Sequence, residues 1–205
     1  MTGPTRLVLC RHGEPEPSAR GRFCGAIDVG LSDTGRAEAD ALAAGLAAAA
    51  PTALYSSPAR RAVQTARPIG VGLGLDVVVA PGLREIDFGE VDGLTFAEVE
   101  ASQPVLYDEW LRAPTRVRFP GGECYADVKR RALETLAGIA QVEGTAVLVT
   151  HAGVIRALLG AWLSLPDDAI FRIDQRYGSV NVVDWIDGGP VIRLLNGLPG
   201  LSPPP

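Results

Sequence analysis

The chain has 205 residues, 47% hydrophobic and 21% charged, enough to bury one substantial core and short for two. Its 24 acidic against 19 basic residues leave a formal charge of −5, which argues against a nucleic-acid partner, because phosphate-backbone binding needs clustered basic surface. No leader-like segment and no apolar run of about 18 residues is present, so neither export nor a membrane partner is expected; Cys10, Cys24 and Cys124, without close pairing or metal-ligand spacing, suit reduced thiols in the cytoplasm.

In chain order, Leu7 to Cys10 reads as a buried strand, followed by polar, Pro-containing sequence of the kind that makes functional loops. Ser32 suits the N-cap of an Ala-rich helix from about Asp33 to Ala49, closed by Pro51. A short strand, Ala53 to Tyr55, precedes Ser57-Pro58, a capping hydroxyl and a proline that would open the next helix, with Arg60 and Arg61 in its first turn. Gly70, Gly72 and Gly74 then read as a connection to a third strand, Asp76 to Val79. Leu94 to Leu111 reads as one or two helices, Gly121-Gly122 as a break, and Tyr125 to Val142 as a longer helix. Ala146 to Val149 is a fourth strand, Ala152 to Leu163 an apolar helix, and Val180 to Trp185 and Val191 to Leu195 are closing strands around Asp187-Gly188-Gly189. Strands alternating with helices predict an α/β three-layer sandwich, a mostly parallel sheet with helices on both faces. Residues 1–197 are expected to form a single domain, and the Pro-rich tail, 198–205, to be disordered.

In such sheets ligands bind at the carboxyl ends of strands, and here those ends carry Arg11 and His12, the turn from Ser57 to Arg61, and His151. The sequence has only two histidines, and both fall there, beside arginines. An anion held by two guanidinium forks and two imidazoles is best matched by a phosphoryl group. The N-terminus of the helix after His151 can add backbone N–H donors. A neutral imidazole displaces a phosphate ester in line when its other nitrogen donates a hydrogen bond that fixes the tautomer. The leaving alkoxide needs a proton, and Glu85, Asp87 and Glu90 are all candidates; apolar residues flank Glu85, a setting that suits a carboxyl acting as acid and then base.

These residues have a family resemblance. Leu7-Val8-Leu9-Cys10-Arg11-His12-Gly13-Glu14 resembles the opening of the histidine phosphatase superfamily, phosphoglycerate mutase-like branch. It is followed in family order by Arg22-Phe23-Cys24-Gly25, Leu31-Ser32-Asp33-Thr34-Gly35, Ser56-Ser57-Pro58, Arg61-Ala62, Leu83-Arg84-Glu85 through Gly89, Gly121-Gly122-Glu123 and Thr150-His151-Ala152-Gly153. The resemblance implies that His12 is the nucleophile, that Arg11, Arg61 and His151 hold the phosphoryl group, and that Glu85 is the proton donor. It selects Arg61 over Arg60, because the catalytic arginine directly precedes the alanine, here Ala62. Ser18, Cys24, Gly25 and Ala152 are implied as substrate-binding positions. Ser18 stands where many relatives have asparagine, Cys24 where many have threonine, and Pro15 where Ser or Thr is usual. No cofactor and no metal is implied.

Phosphoglycerate mutases of the family carry a longer insertion between the acid and the second histidine; the 65 residues between Glu85 and His151 lack it, which favours hydrolysis of a small phosphorylated substrate over mutase-type transfer. In that interval Arg112, Arg116 and Arg118 surround Pro114, either contacting an anionic substrate or forming a solvated basic patch. Phe171-Arg172-Ile173-Asp174-Gln175, Ser179 and Arg193-Leu194-Leu195-Asn196 resemble the tail of α-ribazole phosphatases, which points to α-ribazole 5'-phosphate and cobalamin synthesis; short phosphatases of broad specificity share parts of the pattern. Cys124 and Arg130 match the Cys-x5-Arg count of cysteine-dependent phosphatases, but the residues between them lack the glycines of a phosphate-cradling loop and read as a helix start. A catalytically weak phospho-ligand-binding protein is the remaining reading, disfavoured by a complete set of expected catalytic residues.

Overall fold

The alternation of apolar residues along the first strand places Leu7 and Leu9 on one face of a sheet and Val8 and Cys10 on the other, and both faces are covered. The computed structural model describes residues 5–139 and 142–199. Its sheet has six strands: β1 (Arg6–Arg11), β2 (Ala53–Ser56), β3 (Val77–Val79), β4 (Thr145–Thr150), β5 (Val180–Ile186) and β6 (Gly189–Gly197). The order is β3-β2-β4-β1-β5-β6, parallel from β3 to β1, with β5 and β6 added antiparallel as a hairpin. The α/β layering is therefore as expected, with an antiparallel edge that the short turn at Asp187-Gly188 permits.

On one face lie α1 (Asp33–Leu46) and α2 (Arg60–Leu73), whose Leu42, Ala62, Ala66 and Ile69 pack on Val8, Val147 and Val149. On the other lie α5 (Tyr125–Ile139) and α6 (Ala152–Trp162), packed on Leu7, Leu9 and Leu148. Burying each such aliphatic side chain contributes roughly 1.5–3 kcal/mol, so two apolar faces demand two helical layers. Two shorter helices, α3 (Phe96–Ser102) and α4 (Pro104–Arg112), carry a separate aromatic cluster in which Phe23 meets Phe88, Phe96, Trp110 and Phe119 edge-on.

Ser32 caps α1, its hydroxyl accepting from the Gly35 N–H, but α1 stops at Leu46 and a 3-10 turn continues to Ala49. Ser57-Pro58 does not open the second helix: α2 begins at Arg60 behind Ala59, whose methyl side chain cannot cap, and the Ser57 hydroxyl accepts from the Ala59 N–H at 3.3 Å while also meeting His151. Gly70 and Gly72 belong to α2, and only Gly74, at φ 66, leaves it. The segment from Leu94 divides into two helices at Gln103-Pro104, the first opened by a Thr95/Glu98 capping box. The long helix before β4 is described to Ile139; residues 140–141 fall outside the described residues, as do 200–205 of the tail, and Val142 is already past the helix. Among the described residues no helix is long and apolar enough to cross a membrane.

Candidate active site

Register brings the strand ends together. Arg11 pairs with Thr150 across β1 and β4, and Ser56 with Val149 across β2 and β4, so the next residues, His12, Ser57 and His151, emerge side by side. The His12 N–H donates to the Thr150 carbonyl at 2.9 Å and its carbonyl accepts from Gly178 N–H at 3.2 Å, which pins the residue from both sides. Gly13 follows because a Cβ there would run into the Gly35 carbonyl, so the loop rests directly on the first turn of α1.

The two imidazoles lie edge to face with centroids 5.0 Å apart, both buried, but their hydrogen bonds differ. His12 Nδ1 is 2.7 Å from the Gly13 carbonyl, which can only accept, so Nδ1 carries the proton and Nε2 presents its lone pair. His151 has both nitrogens engaged: Nδ1 accepts from Arg61 Nη2 at 3.3 Å, and Nε2 therefore donates to the Ser57 hydroxyl at 2.7 Å. Burial first, and then the charges of Arg61 and Arg11, hold His12 well below the ordinary histidine range; burial, Arg61 and His12 do the same for His151.

Arg61, 1% exposed, donates to the carbonyls of Cys24 (3.1 Å), Gly25 (3.2 Å) and Ile27 (3.3 Å), while Arg60 is exposed. Arg11 donates to the Gln175 carbonyl at 2.5 Å, lies 3.8 Å from the Tyr177 ring centroid, and keeps a buried Nε with no partner. Among the described residues neither guanidinium is ion-paired to a carboxylate. A buried and a half-buried cation, neither with a carboxylate partner among the described residues, constitute a seat for an anion.

Glu85 leans on the start of α6: the Gly153 N–H donates to Oε2 at 3.2 Å and the Ile86 N–H to Oε1 at 3.0 Å. A Cβ at Gly153 would collide with Oε1, so the glycine makes the contact possible. One helix N-terminal donor expected for phosphate is thus on the carboxylate. Arg131 supports the segment, donating to the carbonyls of Gly82 (2.8 Å), Arg84 (2.6 Å) and Glu85 (3.0 Å) while pairing with Glu123 at 2.9 Å. Burial pushes the Glu123 carboxyl up, but bonds from Arg131 and the Asp87 N–H prevail and hold it below the usual range.

Of the expected substrate-binding residues, Gly25 and Ala152 are buried at the site, and Cys24 and Gly25 meet Arg61 through their carbonyls. Burial raises the Cys24 thiol pKa. Ser18 is exposed on a 3-10 turn, and its recorded hydrogen bond is a carbonyl accepting from Arg22. Arg112 pairs with Asp108 and Arg118 with Asp127 outside the cavities beside Glu85, which supports the solvated-patch reading. Cys124 contacts Arg118 and Asp127, and Arg130 pairs with Asp127 and Glu134, an arrangement that leaves no cradle for phosphate. Among the described residues no group of three or more His, Cys, Asp or Glu could hold a metal ion. Arg131 and Tyr177 were not singled out by their types, and Ser57 was read as a helix cap in the strand-end turn rather than as a partner of His151; the Gly121-Gly122-Glu123 motif was the one sequence signal near the Arg131 support.

The residues and their geometry match a known class. The chain belongs to the histidine phosphatase superfamily (branch 1), whose model matches residues 7–197. It is 38% identical over 197 residues to the bifunctional protein Rv2228c of Mycobacterium tuberculosis, covering 94% of this chain and 54% of that protein, so the chain spans about half the length of this relative. It is 40% identical over 172 residues to glucosyl-3-phosphoglycerate phosphatase of Mycolicibacterium vanbaalenii, covering 80% of this chain and 76% of that one. Bacillus stearothermophilus YhfR superposes with a TM-score of 0.88 at 29% identity, over 94% of this chain and 97% of the other.

The buried imidazoles have a consequence for stability. The folded protein resists protonating His12 and His151, whereas the unfolded chain takes up those protons near pH 6.5, so acid favours unfolding. Stability is expected to fall as pH drops from about 6.5 to 5.5, by up to about 1.4 kcal/mol per unit for each histidine. Denaturant melts across that window check it, and a flat profile would contradict neutral burial.

Proposed function

We propose that this chain hydrolyses small phosphomonoesters through a phosphohistidine on His12. The observation that carries the reading is the asymmetry of the two imidazoles: among the described residues, beside two cations that lack a carboxylate partner, His12 alone keeps an unengaged Nε2. In the first step that lone pair attacks phosphorus, the ester P–O bond breaks, and Glu85 gives its proton to the departing oxygen. Arg11, Arg61 and His151 spread the charge of the transferring group, with Cys24 and Gly25 holding Arg61 through their carbonyls, and the family resemblance adds Ala152 and Ser18 as substrate contacts. In the second, water attacks phosphorus, Glu85 takes its proton, and the P–N bond breaks to release phosphate and neutral His12. Unpaired Cys10, Cys24 and Cys124 suit a cytoplasmic setting.

The Mycolicibacterium vanbaalenii relative is named for glucosyl-3-phosphoglycerate, which makes 3-phosphoglycerate-type esters, glucosylated or not, candidates beside α-ribazole 5'-phosphate and phosphoserine. We expect phosphate release from one or more members of such a panel in the presence of EDTA. Release from none of them, or loss in EDTA restored by a divalent ion, would count against the reading.

A further inference from the structure

Two cavities border Glu85, and they differ in chemistry. One, about 350 Å³, is edged by Asp28, Asp87 and Arg84. The other, about 170 Å³, has Glu85 and Gly153 at one end and walls of Phe88, Trp110, Phe119 and Phe171. Its size is close to the roughly 150 Å³ of an apolar cavity that accommodates benzene. One cation lines it, Arg156, three residues beyond Gly153 and so on the same face of α6, a turn away from the carboxylate. The Ile173 carbonyl accepts from Arg156 Nε at 2.8 Å, which orients the guanidinium, and its Cζ lies 5.5 Å from the Phe171 ring centroid. Among the described residues Arg156 is in no ion pair, although half-buried among apolar groups. Burial, and then the charge of Arg11, lower its pKa against the opposing carboxylates of Glu85 and Asp174.

We infer that this cavity receives the leaving alcohol, and that Arg156 selects alcohols with an apolar, ring-sized body and a carboxylate at the far side. The inference rests on the phosphatase reading, because the alcohol must lie where Glu85 can protonate it. A group of that shape places its ester oxygen at Glu85, its body against the aromatic walls and its carboxylate on the two Nη groups. The opposite cavity sets two carboxylates, Asp28 and Asp87, against one cation, Arg84, which is already paired with Glu123, and so favours such a ligand less.

The test compares 4-carboxyphenyl phosphate with its neutral isostere 4-carbamoylphenyl phosphate. The wild type is expected to favour the carboxylate by about tenfold or more in kcat/KM, mainly through KM, as a charge-assisted bond in a half-buried site implies. Arg156→Gln should bring the ratio to within about twofold, and Arg156→Lys should retain part of it. A wild-type ratio near one, a ratio that survives Arg156→Gln, or an equal fall for both esters would overturn the inference, the last by reducing Arg156 to a tether of the Ile173 segment. Binding of 4-hydroxybenzoate against 4-hydroxybenzamide to the wild type repeats the comparison without a variant: tighter binding of the carboxylate supports the pocket, and equal binding refutes it. If neither ester turns over and no acid-labile label forms, the phosphatase reading fails while this binding comparison still decides the pocket.

Discussion

Replacing His12 with alanine is expected to lower kcat/KM by at least about 10⁴-fold and to abolish acid-labile labelling of the protein by a phosphate ester, because nucleophile losses in covalent enzymes are of that order. His151 cannot substitute. Its Nδ1 is held by Arg61 and its Nε2 by Ser57, whereas the Gly13 carbonyl takes only one nitrogen of His12. The loss should be chemical, since the backbone bonds that pin residue 12, to Thr150 and Gly178, do not involve the side chain. A denaturation midpoint near that of the wild type at pH 7, alongside lost turnover, would separate the two. Retained activity, or a label that survives the substitution, would remove His12 from the mechanism.

Arg61→Ala has the second-largest expected effect, at least about 10²–10³ in kcat/KM, the cost of removing a preorganised donor from a charged transition state. Arg61→Lys should recover little, because a point charge cannot replace a planar fork that reaches three carbonyls and His151 Nδ1 at once. The substitution should also be visible without substrate. After desolvation, the Arg61 charge is the largest influence depressing His12 and His151, so in Arg61→Ala both imidazoles should titrate at higher pH than in the wild type. Proton NMR of the two ring signals checks this. Arg60→Ala, by contrast, removes an exposed side chain outside the site and should leave turnover near wild type. Equal losses for the two arginines, or an Arg61→Lys enzyme close to wild type, would contradict the assignment.

Much of this site was legible before any coordinates, for a physical reason. Strand ends in an α/β sheet are marked by a switch from apolar to polar sequence, and Arg11-His12, Ser57 to Arg61 and Thr150-His151 each sit on such a switch. What was misread is also physical. Ser57-Pro58 has the composition of a helix cap, and only the proximity of β2 to β4 shows its hydroxyl on His151. The regularity of a motif also hides support residues: Arg131 sits on α5 within an ordinary charged run, Lys129-Arg130-Arg131, yet it alone of the three is buried, carrying the carbonyls that precede and include Glu85. Arg112 and Arg118 had the composition of an anion site and proved to pair with acids beside them.

Arg61 over Arg60, and Glu85 over Asp87 and Glu90, came from the family resemblance, whereas the sequence by itself determined the alternation of elements, the two apolar faces of β1, and the gathering of Arg11, His12 and His151 at strand ends beside the Ser57 to Arg61 turn. These follow from local periodicity and residue type, which short-range sterics and side-chain chemistry control. Only the tertiary structure decided which imidazole keeps a lone pair available, that both arginines lack a carboxylate partner among the described residues, and that an aromatic cavity with Arg156 adjoins Glu85. Those properties depend on contacts between residues far apart in the chain, such as Ser57 with His151 and Arg61 with Cys24, and on burial, which sets the strength of every charge in the site.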